Sequence, residues 1–148
     1  MKQEKRIRKG AHTVYELWYH FVWIPKYRKG ILTGYIAERA REIVTGLCQL
    51  YGYELDRIAV EPDHVPVFLG APPRCSRASI ARNLKGASGQ QLFGEFPQLR
   101  QELRQEQLWA RGYFVSSVSD TRLTGAIRAY IERQGQGRRA SGQLSLPF

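Results

Sequence analysis

The chain has 148 residues, 43% of them hydrophobic, with 23 Lys and Arg against 13 Asp and Glu, a formal net charge of +10. That length suits one domain with a real core, and the apolar content excludes a disordered chain. Cys48 and Cys75 make no disulfide framework or metal-type spacing, no apolar run reaches membrane-spanning length, and the positive excess favours a polyanion. A cytoplasmic protein that meets nucleic acid rather than membrane is expected.

Residues 1–13 hold five Lys or Arg and one acid and read as a flexible basic arm. The stretch YELWYHFVWI, residues 15–24, is aromatic and β-branched, a strand closed by Pro25. KYRKG follows as a basic turn. From Ile36 to about Tyr51, apolar residues recur at helical spacing. GYELDRIAVEP and HVPVFLG read as the second and third strands, too close in sequence to pair other than antiparallel. Ser76 is placed to cap a second helix that turns Ile80, Leu84 and Ala87 inward. QLRQELRQEQLW is a polar segment of weak periodicity. GYFVSSVS is a fourth strand, and Asp120 or Thr121 starts a last helix running to about Gln134. Residues 135–148 are rich in Gly, Ser, Gln and Arg and read as a tail, leaving 14–134 as the domain. Strand, helix, two strands, helix, strand, helix is the order of a ferredoxin-like α+β fold, an antiparallel sheet with helices on one face.

In the last helix, at about 100° per residue, Leu123, Ile127, Tyr130, Ile131 and Gln134 fall on one stripe. A tyrosine there is commonly core with its hydroxyl at the edge, and fraying near a helix end can solvate a glutamine. The other reading is chemical. A phenol can attack phosphorus if the developing charge is stabilised, and a divalent cation held by Gln134 and His64 would stabilise it.

YHFVWIPKYRKG, EPDHVPVFLGAPP, LKGAS, LFGEFPQL, LWARGYFVSSVS and AYIERQ occur in that order. Together they resemble the small single-tyrosine HUH (His-hydrophobic-His) transposases of bacterial and archaeal insertion sequences, the IS200-like, TnpA-like group. The likeness covers about residues 15–134. It implies a homodimer that recognises hairpins on single-stranded DNA, cleaves one strand through a 5′-phosphotyrosine, and rejoins it. By the same resemblance Tyr130 is the nucleophile, and His64 and Gln134 are two of three ligands to Mg²⁺ or Mn²⁺.

The third ligand is where this chain departs: Pro66 stands at the second histidine of the motif. Proline offers no donor atom and removes a ladder N–H, so a bulge or bend is expected there. Asp63 or Glu61 could substitute, although simple alternation points both away from His64. Gln90 and Gln91 stand where arginines are common in the family, beside Lys85. Lys26, Tyr27, Arg28 and Lys29, with Arg82 and Lys85 on the second helix, form the expected nucleic-acid-binding set. His12 reads as surface and His20 as structural. The rival readings are a descendant that binds hairpin DNA without cleaving it, for which Pro66 argues, and a generic RNA-binding sheet module.

Overall fold

The computed structural model describes residues 17–118 and 121–136, with the side chains of 121–124 and 135–136 outside the description. The basic arm with His12, most of the tail, the Asp120 cap and the Leu123 side chain therefore lie outside the described residues. Four strands, β1 (Leu17–Trp23), β2 (Glu54–Ile58), β3 (Val65–Ala71) and β4 (Phe114–Val118), alternate with α1 (Gly34–Tyr51), α2 (Arg77–Glu95), the short α3 (Gln98–Leu103) and α4 (Thr121–Gln136). The sheet order is β2-β3-β1-β4 with every neighbouring pair antiparallel. This is the ferredoxin-like arrangement that the element order implies.

Local chemistry explains the boundaries. α2 begins where the Ser76 hydroxyl accepts from the Ser79 N–H at 3.0 Å, satisfying one of the donors a helix start leaves open. α1 stops at Gly52, whose φ of 79° is the left-handed conformation glycine adopts without strain. The weakly periodic segment after Pro97 forms α3, turning Leu99 and Leu103 inward.

Alternation divides the sheet. Tyr19, Phe21 and Trp23 of β1 and Val65, Val67, Leu69 and Ala71 of β3 pack with α1 and α2 in the main core. Within α1 it is Ala40, Ile43, Val44 and Cys48 that are buried, and within α2 Ile80, Ala81, Leu84, Leu92 and Phe93, while Ala87 is only half-buried. The opposite face carries Phe68, Ala59 and Val118 and is covered by Ile127, Tyr130 and Ile131 of α4. The expectation of helices on one face thus holds for α1 and α2 and is corrected for α4. The physical reason is that Val22, Phe68 and Val118 give the second face an apolar surface of its own, which the stripe on α4 buries.

A second correction concerns Pro66. It lies in regular ladder register opposite Val22 of β1, and the one irregularity between β2 and β3 falls at Leu55/Arg57 instead. Its carbonyl accepts from the Ala59 N–H at 3.1 Å. The N–H that proline lacks points the same way, toward β2, one residue past the end of that strand at Ile58. One bond is forgone at the fraying end of a ladder, so no bulge is needed.

Candidate active site

The β2–β3 connection is a four-residue turn, Glu61-Pro62-Asp63-His64. The Glu61 N–H donates to the His64 carbonyl at 2.9 Å and the His64 N–H to the Glu61 carbonyl at 3.4 Å. The pairing continues the register of Ile58 with Val67, with Ala59 bonded to Pro66 and Glu61 bridged to His64. Residues opposite one another share a face. Glu61, Ala59, His64, Pro66 and Phe68 therefore all face α4. Simple alternation along one strand placed Glu61 away from His64; the turn reverses the chain and corrects that.

Asp63 also departs from expectation, since it contacts His64 from the other side of the ring. Its Oδ1 lies 2.9 Å from His64 Nδ1, and its Oδ2 accepts from Arg28 Nε at 3.0 Å. A carboxylate only accepts, so the ring proton belongs on Nδ1 and the lone pair on Nε2. Nε2 is buried and has no hydrogen-bond partner. Burial lowers the His64 pKa, with Asp63 opposing and Gln134 close enough to oppose as well. The imidazole is neutral at physiological pH with its free nitrogen aimed inward.

α4 brings the other groups. Arg128 Nε donates to Asp56 Oδ2 at 2.6 Å and Arg57 Nε to Glu132 Oε2 at 2.8 Å, tying the helix to β2. Tyr130 and Gln134 are 8% and 7% exposed, one turn apart on the buried stripe. The Tyr130 hydroxyl and Gln134 Oε1 both lack a hydrogen-bond partner. Burial raises the Tyr130 pKa, and the negative charge of Glu61 raises it further. His20 lies edge-on to the Tyr130 ring, with centroids 6.2 Å apart. Desolvation lowers its pKa to about 4, so it too stays neutral.

Gln134 thus lies near His64 within a single chain, and Tyr130 stands one turn before Gln134 on the same buried stripe. Each unpaired buried polar atom costs on the order of 1–3 kcal/mol, and such a group in a native fold calls for a missing partner. An imidazole nitrogen and an amide oxygen are both donors that a divalent cation accepts. Among the described residues no group of three His, Cys, Asp or Glu side chains is arranged to hold a metal.

The basic residues separate into two groups. Lys26–Arg28 form a 3₁₀ turn in which Tyr27 and Arg28 have φ of 59° and 51°. Two consecutive left-handed non-glycine residues store strain, and the turn delivers Arg28 to Asp63. The Tyr27 ring is 71% exposed, with its hydroxyl accepting from Gln105 Nε2 at 2.7 Å. Lys29 and Arg82 are exposed. Lys85 is half-buried, its Nζ donating to the carbonyls of Ala110 at 2.9 Å and Gly112 at 2.7 Å. It lines an open cavity of about 540 Å³ with Phe93, Arg100 and Trp109. The Arg28–Asp63 link was missed from sequence, since 35 residues separate the pair; Pro-Asp at the centre of a turn was the available signal.

The family model described as "Transposase IS200 like" matches residues 13–134. The chain is 35% identical over 128 residues to the ISDra2 transposase TnpA of Deinococcus radiodurans, covering 86% of this chain and 91% of that protein. It is 32% identical over 138 residues to the transposase for insertion sequence element IS200 of Salmonella typhimurium, covering 93% and 90%. A crystal structure assigned as a transposase from Deinococcus radiodurans superposes with a TM-score of 0.71 at 35% identity, covering 88% of this chain and 99% of that one. A REP-associated tyrosine transposase bound to a REP hairpin shares the fold, with a TM-score of 0.58 at 15% identity over 80% of this chain and 65% of that one.

Proposed function

Since the chain belongs to the IS200-like transposase family, we propose that it cleaves and rejoins single-stranded DNA with Tyr130 as nucleophile. What supports this reading is that three buried atoms on the α4-covered side of the sheet, Tyr130 Oη, Gln134 Oε1 and His64 Nε2, have no hydrogen-bond partner. The phenol oxygen bonds to a backbone phosphorus, the bond from phosphorus to the 3′ oxygen breaks, the phenol proton passes to solvent, and the released 3′ oxygen takes up a proton. A 5′-phosphotyrosine and a free 3′ hydroxyl result, and reversal onto another 3′ hydroxyl rejoins the strand.

His64 and Gln134 would hold Mg²⁺ or Mn²⁺, which when bound neutralises charge developing on the phosphate. Asp63 keeps Nε2 of His64 deprotonated and, through Arg28, fixes the plane of the ring. Lys26, Lys29, Arg82 and Lys85 supply backbone contacts, and Tyr27 a surface on which an unpaired base stacks. The DNA ligand is a hairpin-bearing single strand; the REP-associated protein of the same fold is bound to a REP hairpin. The working species is a cytoplasmic homodimer, and among the described residues no helix is long and apolar enough to cross a membrane.

The test is incubation of the protein with a hairpin-bearing single-stranded oligonucleotide and Mg²⁺ or Mn²⁺. A denaturant-resistant protein–DNA adduct is expected, and Tyr130→Phe abolishes it. An adduct that survives in Tyr130→Phe sinks the assignment of the nucleophile. Pro66 favours a second reading, a hairpin-binding protein that does not cleave. Tight hairpin binding with no adduct at any metal concentration, recovered by Pro66→His, would establish it.

A further inference from the structure

Tyr27 is 71% exposed, yet it is tethered both through its backbone and at its hydroxyl. We propose that Gln105 is a positioning residue that holds Tyr27 ready to stack an unpaired base of the DNA strand. The inference rests on the DNA-binding part of the reading above and deepens it, because it names what orients the stacking surface.

Backbone strain is the first observation. Tyr27 and Arg28 both lie in the left-handed region, with φ of 59° and 51°. That conformation is costly for a residue with a Cβ and persists only where the surroundings over-determine it. Two flanking segments do so here. On one side the Lys26 N–H donates to the Leu108 carbonyl at 2.9 Å and the Ala110 N–H to the Ile24 carbonyl at 2.8 Å. On the other the Leu32 N–H donates to the Pro62 carbonyl at 3.1 Å, and Arg28 Nε donates to Asp63. Residues 26–28 therefore bridge the segment before β4 and the turn that carries His64.

The segment before β4 is itself anchored. The Trp109 indole N–H donates to Ser88 Oγ of α2 at 3.0 Å. Gly89 makes room for that ring, since a Cβ there would stand 3.1 Å from Trp109 Cδ1. Lys85 Nζ braces the Ala110 and Gly112 carbonyls. From this base Gln105 Nε2 reaches the Tyr27 hydroxyl at 2.7 Å.

Core packing does not account for that bond. A ring so exposed adds little apolar burial, and tethering it removes side-chain freedom. The ordering has its effect when a ligand arrives, because a group already in its bound orientation loses less entropy on binding. What is left open defines the ligand. The ring face takes a nucleobase, whose stacking is tolerant of sequence. The hydroxyl, accepting from Gln105, keeps its own proton to donate to a phosphate or a base edge. Lys26 and Lys29 flank it in the chain with positive charge.

The experiment compares the affinity of the full chain for two oligonucleotides, a hairpin-bearing single strand and the same hairpin with an abasic single-stranded flank. Gln105→Ala is expected to weaken binding of the first by about three- to tenfold. Its melting temperature and its slope of log affinity against log salt should match wild type, because no charge is removed. On the abasic strand Gln105→Ala and wild type should bind alike. Tyr27→Phe, which lacks the hydroxyl that Gln105 holds, should show a similar loss, and the double variant no more than the larger single loss. Unchanged affinity in Gln105→Ala overturns the proposal. So do equal losses on both strands, additive losses in the double variant, or a wild-type chain that binds neither strand. Should Gln105→Ala lower the melting temperature, Gln105→Met, which keeps the length without the donor, replaces it under the same criteria. Adduct formation is scored separately. An adduct in wild type with no dependence of binding on Gln105 removes this inference alone, and Gln105-dependent binding without any adduct leaves it standing and removes strand cleavage.

Discussion

The two faces of the sheet are made from the same four strands and have opposite characters. Toward α1 and α2, β1 presents Tyr19, Phe21 and Trp23 and β3 presents Val65, Val67, Leu69 and Ala71, a continuous apolar layer. Toward α4, the same strands present His20 and Pro66, the turn adds Glu61 and His64, and α4 adds Tyr130 and Gln134. Burial is nearly complete on both sides, but the second face combines a smaller apolar cluster, with Ala59, Phe68, Val118, Ile127 and Ile131, with buried polar groups. There the Tyr130 hydroxyl, His64 Nε2 and Gln134 Oε1 are buried without a hydrogen-bond partner, which costs stability. Ion pairs at the margin, Arg128–Asp56 and Arg57–Glu132, hold α4 where its own apolar stripe alone is short.

That contrast can be broken by substitution. The largest expected effect is on the apolar face: Phe21→Ala should destabilise the fold by about 3–5 kcal/mol, read from chemical denaturation, as truncation of a fully buried aromatic does. On the other face, Tyr130→Phe should leave the denaturation midpoint within about 0.5 kcal/mol of wild type, since it removes an unbonded hydroxyl. Equal losses at the two positions would show the faces to be alike.

Acid should distinguish the faces next. The folded-state pKa of His20 is lowered to about 4 from 6.5, so the unfolded chain binds more protons between those values. Stability is then complete above about pH 6.5 and falls as pH drops toward 4, by at most on the order of 3 kcal/mol from this residue. His64 is shifted in the same direction. His20→Phe should flatten part of the dependence, and a pH–stability curve identical to wild type would show that His20 is not buried neutral.

Asp63→Asn tests the orientation of His64. An amide in that place can donate to Nδ1 and so favours the wrong tautomer, and adduct formation should fall by about 10–100-fold with the melting temperature little changed. Arg57→Ala should do least. Its partner Glu132 is half exposed, the expected loss is below about 1 kcal/mol, and added salt should shrink it further.

How much of this was legible beforehand follows from the range of the interactions. Ser76 as a cap, the helical stripe of Tyr130 and Gln134, and the order of elements depend on neighbours within a turn or a strand, and all are seen in the structure. The family likeness was legible too, because its motifs are contiguous words. The orientation of Glu61 was misread, since one tight turn converts a continued alternation into a facing pair. A bulge was expected at Pro66 because the direction of its missing N–H depends on which strand lies on that side.

The amino-acid order by itself determined the strands, the helices, the positive charge and the stripe that carries the tyrosine, because periodicity and capping are local. Only the tertiary structure decided that α4 crosses to the far face, that Asp63 locks the imidazole of His64, and that Glu61 stands opposite it. Those outcomes depend on register and on packing between segments as far apart in the chain as those of His20 and Tyr130, and no local pattern encodes the distance between two side chains that the fold alone brings together.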